Sequence, residues 1–229
     1  MQSAVIVFPG SNCDRDVFTV MQAQGLNPRY VWHTDATLPA DLDLVVLPGG
    51  FSYGDYLRCG AMAARSPIMQ DVVAFAERGG HVLGICNGFQ ILTESGLLPG
   101  TLLRNHHLKF HCKDTALRVE TDDSAFASGY VRGQIINLPV AHAEGNYFAD
   151  AETLKALNDN GQIALRYVDA AGEPTAAGNP NGACENIAGI TNAKKNVLGL
   201  MPHPERHSEV ALGGTDGAAM FASLLARLG

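Results

Sequence analysis

No apolar stretch in this sequence approaches the length of a membrane span, and the opening residues Met1 to Gly10 lack both the basic start and the apolar run of a secretory signal. Neither a membrane nor export is expected, and a cytoplasmic location is. Basic clusters are also missing. The formal charge is −7, and no run of Lys and Arg offsets it locally, so phosphate backbones and anionic lipid would be repelled. Nucleic acid is therefore not an expected ligand. The five cysteines, Cys13, Cys59, Cys86, Cys112 and Cys184, are odd in number and share no paired spacing, which fits free thiols in a reducing compartment better than a disulfide framework. There is no G-x-x-x-x-G-K-[ST] phosphate loop, so no site is marked for activating a substrate with a nucleotide. Internal repeats and low-complexity linkers are absent too.

What the 229 residues do contain, at 46% hydrophobic and 17% charged, is enough to bury the core of one ordinary domain spanning 1–229. Three short β-branched runs, Ala4 to Phe8, Arg29 to Trp32 and Leu42 to Leu47, read as buried strands. Asp14 to Gln24 between the first two carries Val17, Val20 and Met21 at helical spacing and stops at Gly25, which implies a parallel crossover. Ser66-Pro67 predicts an N-cap and first-turn proline, with Ile68, Val72, Phe75 and Ala76 as the apolar stripe. His81 to Ile85 is the next strand and Asn87 to Gly96 the next helix. From about Thr101 to Gly189 the pattern becomes alternating, as in Ala116 to Glu120 and Ile163 to Val168, with one helix near Ala151 to Leu157. The chain then returns to an apolar strand, Val197 to Met201, and a helix with Met220, Phe221, Leu224, Leu225 and Leu228 on one side. The expected fold is α/β, an open, mostly parallel sheet flanked by helices with antiparallel β additions.

Gly84-Ile85-Cys86-Asn87-Gly88 has the G-x-nucleophile-x-G form and falls where a strand hands over to a helix. A nucleophile held in such a strained turn needs small neighbours, since a side chain at 84 or 88 would clash. The start of the following helix favours negative charge, which predicts a lowered thiol pKa. The pentapeptide alone also fits a buried cysteine between chance glycines, and its partners decide. Met201-Pro202-His203-Pro204-Glu205-Arg206 follows the last strand; its prolines preclude a regular helix, and in an extended segment Glu205 would lie on the same side as His203 and orient it as a base. Pro48 to Asp55 is a glycine-rich loop beyond a strand, from which the Gly50 N–H and the Asn87 N–H would form an oxyanion hole. Loop, nucleophile and base would gather at the carboxyl ends of the strands. Cys13 also follows a strand and opens a helix, but lacks flanking glycines. Cys59, Cys112 and Cys184 read as packing or surface thiols. No metal site is expected: Pro204 breaks the helix that His203 and His207 would need, and His106, His107, His111 and Cys112 lack a second pair at finger-like spacing. An α/β-hydrolase would place its acid before its histidine, and a redox-sensing relative would not need His203 and Glu205.

With these elements the chain resembles the class I, triad-type glutamine amidotransferases, whose order is Cys, His, Glu. Within that class it is similar to the separate glutaminase subunits of the phosphoribosylformylglycinamidine synthase family of purine biosynthesis, through Val5 to Asp14, Pro48 to Gly60, Gly84 to Gln90 and Met201 to Arg206. Pro139 to Gly145 and Asn179 to Gly182 add to the likeness, although the family usually has glycine where this chain has Ala143. The resemblance implies hydrolysis of glutamine through a thioester on Cys86, with His203 and Glu205 completing the triad and Phe51, Gln90 and His142 near the substrate. It implies that ammonia passes to a larger ATP-using synthetase subunit that aminates formylglycinamide ribonucleotide, with a small third subunit bridging the two. No cofactor is then expected in this chain; ATP and Mg would belong to the synthetase.

Overall fold

The computed structural model describes residues 1–56 and 58–229. Ser3–Val7 is buried at every position and forms β1, because a strand covered on both faces has no polar side to show. Asp14–Ala23 follows as α1, burying Val17 and Met21. Next come β2 at Pro28–Trp32, β3 at Leu44–Leu47 and the short helix α2 at Cys59–Ala63. Helix α3 is Ile68–Glu77, β4 His81–Ile85 and α4 Asn87–Glu94. The middle of the chain supplies β5 (Thr101–Leu103), β6 (His111–Val119), β7 (Ile135–His142), β8 (Asn146–Phe148), α5 (Ala151–Asp159) and β9 (Ile163–Tyr167). The end supplies β10 (Ile187–Thr191), β11 (Val197–Leu200) and α6 (Ala218–Leu228).

Nine strands form one sheet in the order β2-β1-β3-β4-β11-β10-β9-β6-β7, and β5 pairs with β8 in a small second sheet. The pairs from β2 through β11 are parallel, and those from β11 through β7 antiparallel. Only β10 and β6 therefore run against the rest, which is the mostly parallel sheet with antiparallel additions that the sequence pattern predicts. β11, the last strand in sequence, lies in the middle beside β4, with Leu200 opposite Ile85.

One local expectation fails. Ser66 does not cap α3, which has no side-chain cap and has Pro67 as its N-cap residue. The Ser66 hydroxyl instead lies 3.1 Å from the Tyr53 hydroxyl, a tertiary bond that outcompetes a local one. In α6, Met220, Phe221 and Leu224 are buried while Leu225 and Leu228 lie at the margin of the core. No helix among the described residues is long and apolar enough to cross a membrane.

Candidate active site

Three adjacent strands, β3, β4 and β11, deliver three loops to the same carboxyl edge of the sheet. The middle loop is the single residue Cys86, between β4 and α4. Its backbone sits at φ 53°, ψ −104°, a conformation that costs a non-glycine residue on the order of 1–3 kcal/mol and persists only where the surroundings enforce it. They do so here: the Cys86 N–H donates to Leu200 O at 2.8 Å, and its carbonyl accepts from the Phe89 and Gln90 N–H groups at 3.0 and 3.2 Å. A methyl group on Gly84 would lie 2.5 Å from a Leu92 side-chain carbon, and one on Gly88 2.0 Å from Leu47 O. Both glycines of the elbow are therefore required by close approach of α4 to β4 and β3.

The loop after β3 closes over the elbow. A methyl on Gly49 would lie 2.8 Å from Cys86 Cβ and 3.0 Å from His203 Cε1, so nucleophile and imidazole converge on the face of this one residue. Gly50 adopts φ +89°, and a side chain there would collide with Asn12 Oδ1 at 2.2 Å. Among the described residues, neither the Gly50 N–H nor the Asn87 N–H donates to a protein acceptor, which suits donors reserved for a ligand. Phe51 is left-handed at φ 63°, about 44% exposed, and stacked on Phe110 with ring centroids 5.9 Å apart. Together these two rings form the lip of the loop.

His203 and Glu205 follow β11. The His203 Nδ1 lies 2.6 Å from Glu205 Oε1, and both side chains are buried. Donation from Nδ1–H to the carboxylate leaves Nε2 as the acceptor nitrogen, and Nε2 has no partner among the described residues. The route to this pairing differs from the extended segment that the prolines suggest. His203 itself is extended, but Pro204–His207 forms a 3-10 turn, which curls Glu205 back beneath the ring. The His203 N–H donates to Pro139 O at 2.8 Å, and the Cys86 thiol lies 3.8 Å from Ala141 O, so β7 bends round to support both groups.

Electrostatics correct a second expectation. Burial pushes the Cys86 thiol well up, and Asp55, Cys13, Glu205 and Cys59 push it further. Desolvation thus outweighs the helix start that the sequence reading expected to lower it. Cys13, the competing thiol, caps α1 with an ordinary φ of −94°. It is pushed up to about 12, chiefly by burial, and it accepts a 2.8 Å hydrogen bond from Arg206 Nη2.

The remaining predicted residues form a buried wall. Asn87 does more with its side chain than the sequence revealed: Oδ1 accepts the Ser52 N–H at 3.2 Å, while Nδ2 lies 2.8 Å from Asp55 Oδ1, 3.2 Å from Cys59 Sγ and 3.0 Å from Gln90 Oε1. It ties the oxyanion loop to α4. Asn87→Ala should strand these groups and lower stability by on the order of 2–3 kcal/mol, read as a reduced urea midpoint at unchanged slope. Gln90 is buried rather than solvated, with Nε2 donating to Glu144 O at 2.9 Å. His142 lies 3.1 Å from Asn105 Oδ1 through Nδ1 and 3.5 Å from Asn181 through Nε2. Burial, then the neighbouring His111 and His203, push its pKa down to about 3, so it is neutral near pH 7. Ala143 is not among the left-handed residues, so alanine there imposes no backbone strain. The His106, His107 and His111 rings run toward His142 as a row of tilted neighbours, with successive centroids 5.0, 5.8 and 6.4 Å apart. Sequence reasoning missed Gly49, Asp55 and Cys59 as neighbours of the nucleophile. The first two lie in the glycine-rich loop, whose clustering was the available signal; Cys59 carried none.

The arrangement is a strained thiol, an oriented imidazole and free backbone donors in one cleft. The sequence model of the CobB/CobQ-like glutamine amidotransferase domain matches residues 1–212. The chain is 58% identical over its whole length to the protein called phosphoribosylformylglycinamidine synthase subunit PurQ of Rhodopseudomonas palustris, covering 98% of that protein. It is 59% identical to the protein of the same name from Synechococcus elongatus, with 98% of each chain covered. A chain in the solved structure of PurLQS from Thermotoga maritima shares 44% identity at a TM-score of 0.87, with 100% of this chain and 99% of that one covered.

Proposed function

This chain belongs to the CobB/CobQ-like glutamine amidotransferase family, and from that membership and the site we infer that it is the glutaminase subunit of a phosphoribosylformylglycinamidine synthase. It works within a complex, hydrolysing glutamine and handing ammonia to the synthetase subunit in purine biosynthesis. The observation that carries the chemical reading is the convergence of Cys86 and His203 on Gly49, with Glu205 2.6 Å behind the imidazole. Because the resting group is a protonated, buried thiol, attack is coupled to proton transfer from Sγ to His203 Nε2. Sulfur bonds to the side-chain amide carbon of glutamine, and the oxyanion is received by the Gly50 and Asn87 N–H groups. The imidazolium returns its proton to the departing nitrogen, releasing ammonia and leaving a γ-glutamyl thioester on Cys86. Water, deprotonated by His203, then attacks the thioester; glutamate leaves and the thiol is restored. Glu205 holds the ring and balances its positive charge in both halves.

Phe51, Gln90 and His142 shape the substrate side of the cleft in this reading, the last two from behind. The amination of formylglycinamide ribonucleotide takes place on the synthetase with its own ATP and Mg, and a small third subunit bridges the two proteins. The cytoplasm is the compartment that fits five free cysteines. Incubation of the assembled enzyme with a glutamine-shaped electrophile should label Cys86 at one equivalent per chain, as read by peptide mass spectrometry. Label confined to Cys13 would overturn the assignment of the nucleophile.

A further inference from the structure

Cys13 takes no part in the reaction just described, yet its thiol lies among the groups that perform it. Cys13 Sγ, a ring nitrogen of His203 and a carboxylate oxygen of Glu205 are all within 4.8 Å of one another, and all three residues are buried. On these residues, His203 Nε2 and Glu205 Oε2 have no hydrogen-bond partner among the described residues. Buried acceptors in that condition carry an uncompensated desolvation cost, and each calls for an explanation. Nε2 has one in its proposed role facing the nucleophile; Oε2 does not.

A cation would satisfy it. Thiolate, imidazole and carboxylate on one ion, with a fourth position left to water, is a donor set suited to zinc. Bonds of roughly 2.0–2.3 Å place tetrahedral ligands roughly 3.5 Å apart, so Cys13 Sγ must draw in from within 4.8 Å while His203 Nδ1 and Glu205 Oε1, 2.6 Å apart, separate by about 1 Å. Glu205 also borders a cavity of about 530 Å³ between α1 and the segment after β11, whose charged lining is Arg15, Asp16, Glu205, Arg206 and Glu209. None of its lining residues belongs to the Pro48–Asp55 loop, so this approach to the Glu205 side of the cluster is separate from the mouth at Phe51.

We propose that Cys13, His203 and Glu205 form an inhibitory site for a borderline-soft divalent cation of the zinc type. Binding replaces the thiol proton of Cys13, which is released to solvent, by a metal–sulfur bond, and replaces the Nδ1–H hydrogen bond to Glu205 by a metal–Nδ1 bond, the ring proton moving to Nε2 so that His203 can no longer accept the proton of Cys86. Arg206 acts on both sides of this balance. Its 2.8 Å hydrogen bond to Cys13 Sγ favours the thiolate, while its charge, 3.5 Å from Asp16, opposes the incoming ion. Because a proton must leave, affinity rises with pH.

The inhibitory effect rests on His203 being the base; the binding does not, so the two are read separately. Titration of the chain with Co²⁺ should produce a near-ultraviolet thiolate-to-cobalt band that survives in Cys86→Ser and is lost in Cys13→Ser and Cys13→Ala, each checked for an unchanged thermal melt. A band that survives in the Cys13 variants, or is lost with Cys86, overturns the site. In the assembled enzyme, Zn²⁺ should suppress glutamine hydrolysis and a chelator restore it. Cys13→Ser should keep its turnover and need at least about tenfold more zinc. Equal sensitivity of the variant overturns the proposal. A Cys13-dependent band with undiminished turnover overturns the inhibition, and with it the reading of His203 as base.

Discussion

Replacing Cys86 with serine is expected to lower glutamine-dependent amination by about 10³-fold or more while ammonia added directly still supports synthesis. The serine hydroxyl occupies nearly the same volume, and the φ of 53° at this position is imposed by hydrogen bonds of the backbone, not of the thiol. The scaffold should therefore survive and the chemistry should not. A hydroxyl is a far weaker acid than a thiol, so His203 gains little by accepting its proton, and the water-excluded cleft makes an alkoxide costlier still. Steady-state rates of the assembled enzyme with glutamine and with an ammonium salt separate the two activities. Glutamine-supported turnover within tenfold of the parent enzyme would rule Cys86 out as nucleophile.

A methyl group at Gly88 should act on the scaffold instead. Its carbon would stand 2.0 Å from the carbonyl oxygen of Leu47, and that oxygen belongs to the backbone of β3, which no rotamer change can move aside. Relief requires α4 to lift from the sheet or β3 to shift, and either opens a gap in a close-packed layer. A cost of about 3–5 kcal/mol follows from the overpacking and the cavity it leaves, equivalent to a melting temperature lower by on the order of 10 °C for a domain of this size. Activity should fall with it, since Gly49 and Gly50 continue directly from β3. Gly79→Ala is the control: a methyl there meets nothing within 4 Å, so it costs only the left-handed backbone penalty, about 1–2 kcal/mol. Equal melting temperatures for the two variants would defeat the argument.

Gly88 also illustrates what the sequence made legible. The elbow motif found it, along with Cys86, the β–α alternation of the first half and the chain order of nucleophile, imidazole and acid, but the atom that forbids a side chain there, Leu47 O, belongs to β3 and not to the turn. The Pro-His-Pro-Glu segment announced that no regular helix could run through it. Whether it would be extended or curled was decided by packing, and the 3-10 turn at Pro204–His207 lies outside what two prolines specify. The thiol of Cys86 shows the same limit, since a helix start is visible in sequence and the depth of burial that outweighs it is not. Ser66 exchanged its cap role for Tyr53, 13 residues away. Cys13 read as an isolated rival because the 193 residues separating it from Arg206 hide their contact.

The placement of β11 bears on when the protein becomes active during its synthesis. That strand is made after the other ten described strands, yet it occupies the middle of the sheet, and Cys86 draws its backbone anchor from Leu200 within it. A nascent chain that already displays Cys86 and the Pro48–Asp55 loop still has an unpaired β4 edge and lacks His203. Closing a sheet by inserting a late central strand is a long-range event, slow in folding and cooperative once made. A chain that stops short of β11 lacks His203 and, on the proposed mechanism, hydrolyses no glutamine.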